Sequence, residues 1–164
     1  MAVEAAAPGG RSRVVVVLGA EAARMRAELA GLDVRVAENP DWAEGLSTSL
    51  RAGVEALDPP TAGDAPVDAA LFTTCDQPLV TADTLRAVIA AYAASRPPIV
   101  ACAYGGTVGV PALFDRSLFA ELIELPGDAG AKRVIERHLA AVARVPCPDA
   151  AFDIDNAADV LRLV

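Results

Sequence analysis

Three aspartates of this sequence lie at positions where their carboxylates could bind a metal ion. The first is Asp76, which follows an apolar run ending at residue 73 and is followed by Pro78, whose ring fixes the backbone. A carboxylate at the tip of a central strand suits a hard cation such as Mg²⁺, which proteins usually hold with one or two carboxylates and substrate phosphates. The alternative is that Asp76 only accepts hydrogen bonds from backbone N–H groups in a turn.

The other two aspartates, Asp153 and Asp155, flank Ile154 near the end of the chain. Residues two apart in an extended segment share a face, so both carboxylates are able to point at one cation. The alternative is that one of them caps the helix that follows. Both interpretations stay open on the sequence alone.

A cysteine nucleophile is the rival chemistry, because Cys75 lies at the same strand end as Asp76. Such a nucleophile needs a base, and the only histidine is His138. We interpret His138 as a favourable charge at a helix C-terminus, which argues against this chemistry. Neither G-x-G-x-x-G nor G-x-x-x-x-G-K-[ST] occurs, so the two common phosphate-binding loops are also absent from the sequence.

Composition narrows the class of protein. The chain has 164 residues, which predicts one domain. Hydrophobic residues make up 54%, which excludes a disordered chain. The net charge of −8 argues against nucleic-acid binding, which needs a basic surface. No apolar stretch approaches the length of a membrane-spanning helix, and the first residues do not form a convincing signal peptide. Three widely spaced cysteines fit free thiols. We therefore expect a cytoplasmic protein without a membrane partner.

The order of the predicted elements indicates an α/β fold. Apolar runs predict strands, the first of them buried on both faces, and helical periodicity predicts the segments between them. Alternating strands and helices predict a mostly parallel sheet covered on both faces, with ligands bound beyond the carboxyl ends of the strands. Helix N-caps are predicted at one of Ser47, Thr48 or Ser49, and at Thr81, Asp115 and Asn156. The predicted strands are residues 14–18, 33–37, 69–73, 99–103, 108–110 and 142–145.

Five motifs, in this order along the chain, resemble one known family. They are N-P-D-W-A-E-G-L-S-T-S-L-R-A-G (39–53), C-D-Q-P-L-V-T-A-D-T-L (75–85), G-V-P-A-L-F (109–114), G-D-A-G-A-K (127–132) and D-I-D-N-A-A-D (153–159). The sequence resembles the MobA/MocA-like nucleotidyltransferases, and most of all their cytidylyltransferase branch in molybdenum cofactor biosynthesis. The resemblance implies a three-layer α/β/α, Rossmann-like fold of the nucleotide-diphospho-sugar transferase type.

The resemblance also implies an activity and a set of site residues. The family transfers a nucleoside monophosphate from CTP or GTP to a phosphorylated acceptor, here molybdopterin, and releases pyrophosphate. Asp76 is then the catalytic residue and first Mg²⁺ ligand, and Asp155 is the second ligand, with Asp153 as its substitute. A molybdoenzyme is the implied protein partner. The residues implied around the nucleotide base are Asn39, Gly45 and Ser49, and those implied around the acceptor are Gly105, Gly109, Pro111, Gly127, Asp128 and Gly130.

One part of the family pattern is missing from this sequence. The family begins with L-A-A-G-x-S-x-R-M-G-x-x-K, which holds the triphosphate, and residues 14–18 align better with the family's second strand. We therefore expect a flexible segment over residues 1–13, and a domain over residues 14–164 that lacks the first strand and has weak or absent turnover. A non-catalytic module that binds the cofactor, or acts as a chaperone for a molybdoenzyme, is the alternative. A more distant alternative is an enzyme that transfers a nucleotidyl group to a sugar phosphate.

Overall fold

The computed structural model describes residues 14–57 and 66–162. The segment predicted to be flexible, residues 1–13, lies outside the described residues, as does most of the predicted loop over residues 58–68. The strands are β1 (Val15–Leu18), β2 (Arg35–Glu38), β3 (Ala69–Phe72), β4 (Ile99–Tyr104), β5 (Thr107–Asp115) and β6 (Val142–Pro146). The helices are α1 (Ala22–Glu28), α2 (Leu46–Leu57), α3 (Ala82–Ser95), α4 (Phe119–Ile123), α5 (Ala131–Arg137) and α6 (Ala157–Val160).

The larger of two sheets has the strand order β3-β5-β4-β6. Strand β5 runs antiparallel to both β3 and β4, while β6 runs parallel to β4. Strands β3, β4 and β6 therefore share one direction, and only β5 is reversed. The predicted α/β class with a parallel-dominated sheet is confirmed, and the carboxyl ends of three strands meet at one edge.

Helices cover both faces of this sheet, which gives the three predicted layers. Side chains alternate along β4, because successive residues of a strand point to opposite faces. Ile99 and Ala101 belong to a buried cluster that includes residues of α2, α4 and α5. Val100 and Cys102 belong to a second cluster, formed mainly with α3. All four residues are fully buried, so β4 is a central strand of the domain.

Strand β5 is longer than the predicted strand over residues 108–110, which ended before Pro111. The register explains the error. Ala101 of β4 lies opposite Ala112, but the next residue, Cys102, lies opposite Gly109. Val110 and Pro111 therefore form a bulge without partners on β4. Proline has no N–H to give to a ladder and is tolerated at such a bulge, so the strand continues through it.

The smaller sheet consists of β1 and β2, which are parallel. Val15, Val16 and Val17 are only half-buried, so the prediction of a first strand buried on both faces is wrong. The reason is that β1 is hydrogen-bonded to β2 alone among the described strands, and that α1 contributes no buried side chain. Helix α2 packs on both sheets, with Val54 in the main core and Gly53 facing Val17.

The predicted helix caps are mostly confirmed. The Thr81 side chain accepts a hydrogen bond at the start of α3, and Asn156 does so at the start of α6. Asp115 caps the 3₁₀ turn that precedes α4. The prediction for α2 is wrong, because this helix begins at Leu46 and the candidate cap residues lie within its first turn. Among the described residues, no helix has the length and apolar character that crossing a membrane requires.

Candidate active site

The predicted site residues follow the carboxyl ends of strands in both sheets. Residues 73–78 follow β3, and residues 147–155 follow β6, which runs in the same direction. The turn between β4 and β5 and the bulge at Pro111 complete this edge. In the smaller sheet, Gly19 follows β1 and Asn39 follows β2. The fold thus places the loops where α/β sheets bind their ligands.

Asp76 carries a buried acceptor atom that has no partner. Its side chain is partly exposed, but Oδ1 is buried and forms no hydrogen bond among the described residues. The alternative role, acceptance of backbone N–H groups, would have satisfied this atom. A buried carboxylate oxygen without a donor is costly unless a cation or another donor binds it. Asp76 therefore fits a metal ligand better than a turn-forming residue.

The segment with the other two aspartates lies against the Asp76 loop. The backbone N–H of Ile154 donates to the backbone carbonyl of Asp76 at 2.8 Å. Ile154 is half-buried and both flanking aspartates are exposed, as expected for alternation in an extended segment. The three carboxylates do not form a group of three ligands for one cation in the part of the chain that the structure describes. A site with one or two carboxylates plus phosphates is consistent with this arrangement.

The final helix does not use Asp153 or Asp155 as its cap. Asn156 is the N-cap, and its side chain accepts from Ala158 N–H at 2.8 Å. The capping box is completed by the Asp159 carboxylate, which accepts from Asn156 N–H and also from Asp155 N–H. The alternative proposed from the sequence, that one of the paired aspartates caps this helix, is therefore wrong. Both carboxylates remain available to a ligand.

Gln77 and Tyr104 are two buried or half-buried polar residues of this edge that the sequence reasoning did not single out. Gln77 Nε2 donates to the carbonyls of Ala150 and Val110, and the Tyr104 hydroxyl also donates to Val110, at 3.0 Å. Burial raises the pKa of the Tyr104 hydroxyl, a hydrogen bond with Gln77 opposes the shift, and the charge of Asp153 adds to it. Gln77 belongs to the quoted C-D-Q-P motif, so the motif itself was the available signal.

Asn39 lies at the predicted base-binding loop, but its side chain is already occupied. It is 4% exposed, and its amide donates to the hydroxyls of Thr48 and Ser49 at 2.8 and 3.0 Å. Its Oδ1 accepts from the backbone N–H of Asp41. The structure thus brings Asn39 and Ser49 together. The bonds show that this asparagine fixes the loop to the start of α2.

Close backbone packing joins this loop to the predicted acceptor loop. A Cβ on Gly45 would lie 2.5 Å from the carbonyl oxygen of Gly127 and 2.7 Å from Asp128 Oδ1. A Cβ on Gly130 would lie 3.0 Å from the Leu46 side chain. The N–H of Ser47 donates to the Gly127 carbonyl at 3.1 Å. The structure therefore brings four of the predicted binding residues into one cluster, which comprises Gly45, Gly127, Asp128 and Gly130.

We expect Gly45→Ala to separate these two loops and to destabilise the protein. Gly45 has φ +121°, which L-residues rarely adopt, and the new Cβ would overlap backbone atoms of Gly127. The strain alone costs on the order of 1–3 kcal/mol, and the overlap adds to it. The measurement is the free energy of unfolding in urea. Gly31→Ala is the matched control, because φ is +84° but no atom lies within 4 Å. Equal losses in the two variants would contradict the packing described.

In the part of the chain that the structure describes, cavities open at the strand ends. One, of about 220 Å³, is lined by Leu18, Gly19, Ala22, Glu38, Asn39, Pro40 and Trp42. The other, of about 170 Å³, lies in the loop after β3 and is lined by Thr73, Thr74, Cys75, Gln77, Pro78, Val80 and Leu85.

The cysteines do not form a nucleophilic site with the histidine. Cys75 is exposed, and His138 is engaged with Glu121, whose carboxylate lies 2.7 Å from its Nε2. Cys102 and Cys147 are buried with their sulfurs 2.6 Å apart, and both are free thiols. Burial and the hydrogen bond with Cys147 raise the pKa of the Cys102 thiol, so it stays protonated at neutral pH. This agrees with the argument from the sequence against a cysteine nucleophile.

The fold is shared with nucleotidyltransferases of known structure. A nucleotidyl transferase from Methanothermobacter is 24% identical, with a TM-score of 0.72 over 94% of this chain and 72% of that chain. A 4-diphosphocytidyl-2C-methyl-D-erythritol synthase from Anaerococcus prevotii is 12% identical, with a TM-score of 0.70 over 92% of this chain and 76% of that chain. At these identities the likeness concerns the fold alone.

The family is identified by its own model. The model described as the MobA-like NTP transferase domain matches residues 1–142, and the chain belongs to this family. The crystal structure of Rv0371c from Mycobacterium tuberculosis, a complex with manganese, is 28% identical, with a TM-score of 0.74 over 94% of this chain and 78% of that chain. No curated protein gives a match. Family and fold together support nucleotidyl transfer as the activity.

Proposed function

We propose that the protein is a divalent-metal-dependent cytidylyltransferase that transfers CMP from CTP to molybdopterin and releases pyrophosphate. The observation that carries the proposal is the buried, unpaired Oδ1 of Asp76 beside the segment that holds Asp153 and Asp155. Membership of the MobA-like family supports an NTP as donor substrate. The choice of CTP over GTP rests on the likeness of the motifs to the cytidylyltransferase branch.

The residues present fit a divalent cation. Asp76 and Asp155 would hold it, with Asp153 as the substitute for Asp155, and these oxygen ligands suit Mg²⁺ or Mn²⁺. When bound, the cation neutralises charge on the phosphates of the nucleotide, which is most of what phosphoryl-type transfer needs from a catalyst. The manganese complex of the similar mycobacterial structure is consistent with this assignment.

The chain's own residues would position the two substrates. Gly45 and Gly130 let the two loops pack closely, and Gly127, beside which no atom lies within 4 Å, would let a ligand approach the backbone of the cluster. Gly109 and Pro111 are buried in β5, so they would shape the acceptor pocket through the course of the backbone and not by direct contact. An acceptor phosphate oxygen held at this edge of the sheet would attack the α-phosphorus of the nucleotide, forming a P–O bond as the bond to pyrophosphate breaks. Catalysis would then come from orientation and charge stabilisation.

The test is a transfer assay with purified protein, CTP and molybdopterin, in which pyrophosphate release and the cytidylated product are both measured. We expect CTP-dependent product that requires Mg²⁺ or Mn²⁺, and less product with GTP. Tight molybdopterin binding without any effect of nucleotide would instead favour the non-catalytic cofactor-binding module.

A further inference from the structure

We infer that Gln77 is a positioning residue that holds the segment carrying Asp153 and Asp155 against the Asp76 loop, and so sets the affinity of this edge for a divalent cation. The inference rests on the proposed function, because it assumes that these carboxylates bind the metal. Gln77 would act by holding other residues in place and would not contact the metal or the substrates itself.

The contacts of the Gln77 amide join three separate segments of the chain. The residue is 6% exposed. Its Nε2 donates to the carbonyl of Ala150 at 2.8 Å and to the carbonyl of Val110 at 3.3 Å. Because both partners are acceptors, the amide nitrogen and not the amide oxygen must face them. The side chain therefore links the loop after β3 to the bulge of β5 and to the turn after β6.

The bond to Ala150 matters for the metal because of where it falls along the chain. Ala150, which accepts the bond from Gln77, lies three residues before Asp153. The backbone N–H of Ile154, the residue after Asp153, donates a hydrogen bond to the Asp76 carbonyl at 2.8 Å. Asp153 is thus flanked by two attachments, one from the side chain of Gln77 and one from the backbone of Asp76. Residues 152–155 form no regular secondary structure. Loss of the first attachment would let this segment move relative to Asp76.

A small movement of a ligand has a large effect on metal binding. Residues that orient metal ligands without contacting the metal typically change affinity about 10-fold to 100-fold when they are replaced. An ordinary buried hydrogen bond in the core has no such consequence. Metal affinity therefore separates a positioning role from a merely structural one.

The experiment is a titration of the full chain with Mn²⁺ alone, in which the electron paramagnetic resonance signal reports the free ion. The variant is Gln77→Met, which keeps the length of the side chain but cannot donate a hydrogen bond. We expect the Kd for Mn²⁺ to rise about 10-fold, with a circular dichroism spectrum like that of the wild type. Should Gln77→Met fail to fold, Gln77→Asn gives the same comparison, because its amide is one methylene too short to reach Ala150.

Tyr92→Phe is the matched control. It removes a part-buried hydrogen bond, from the Tyr92 hydroxyl to Asp115 at 2.6 Å, but leaves the bond between Gln77 and Ala150. We expect its Kd for Mn²⁺ to stay within about twofold of the wild type, below the effect of losing an orienting residue. Folded Gln77 variants that bind Mn²⁺ like the wild type, or no more weakly than Tyr92→Phe does, overturn the inference.

Failure of the proposed function has a different signature. In that case Asp76→Asn binds Mn²⁺ as the wild type does, which overturns the metal site and this inference with it. If Asp76→Asn weakens Mn²⁺ binding and the Gln77 variants do not, the metal site is supported and the positioning role of Gln77 is contradicted. If Asp76→Asn and the Gln77 variants both weaken Mn²⁺ binding and Tyr92→Phe does not, the positioning role is supported.

Discussion

The variant Asp76→Asn is expected to lose CTP-dependent transfer by about 100-fold or more, since a ligand to a charge-neutralising cation is removed. The substitution is nearly isosteric, so the loop after β3 should keep its shape. The buried Oδ1 of Asp76 makes no hydrogen bond among the described residues, so the substitution breaks no hydrogen bond of that atom. The transfer assay measures the loss, and urea unfolding checks that stability is retained.

Asp83→Asn is the control for the Asp76 variant. Asp83 lies seven residues further on, in the first turn of α3, where its carboxylate is exposed and pairs with Arg86. Exposed ion pairs contribute about 0–1 kcal/mol, so this variant should keep both activity and stability. Asp155→Asn should lose more activity than Asp153→Asn, because Asp155 is the proposed second ligand. Asp76→Asn with activity like that of Asp83→Asn would contradict the site.

The variant Phe114→Ala is expected to destabilise the protein by about 3–5 kcal/mol, the usual cost of truncating a buried phenylalanine. Phe114 is fully buried on β5, and its ring lies edge-on to Phe72 with centroids 5.6 Å apart. It belongs to the cluster that joins the sheet to α2, α4 and α5. Truncation leaves a cavity between the layers. The midpoint and slope of urea unfolding measure the change.

Phe114→Leu is the graded comparison for this core position. It keeps most of the apolar volume, and we expect a loss of about 1–1.5 kcal/mol. Both variants should keep the denaturant slope of the wild type, because the surface exposed on unfolding does not change. A loss below about 1 kcal/mol for Phe114→Ala would mean that this ring does not hold the layers together.

Most of the fold was predictable because helix caps and the pattern of apolar residues indicate the same elements. Thr81 and Asn156 were recognisable as caps because their side chains satisfy backbone N–H groups within a few residues. Strand β5 was predicted too short, since Pro111 indicates a break unless it is known that β5 bulges at this position. The burial of β1 was overestimated, because an apolar run does not show which strands lie beside it.

The arrangement of the candidate site was predictable only at residues whose side-chain chemistry and position along a strand both point to ligand binding. Asp76 combines a carboxylate with a strand end, and the segment around Ile154 does lie beside it. The internal hydrogen bonds of Asn39 could not be foreseen, because they depend on how the loop meets α2. Gln77 was missed for a similar reason, since its partners lie 33 and 73 residues further along the chain. Such contacts follow from tertiary packing, which residue spacing does not encode.

The most direct test of the proposed function is a calorimetric titration of the protein with CTP and with GTP, each with and without Mg²⁺. We expect CTP to bind only with Mg²⁺, more tightly than GTP, and we expect this binding to disappear in Asp76→Asn. CTP binding that is the same without Mg²⁺ and in the variant would contradict the proposed site. A folded protein that binds neither nucleotide would contradict the transferase and favour the cofactor-binding module.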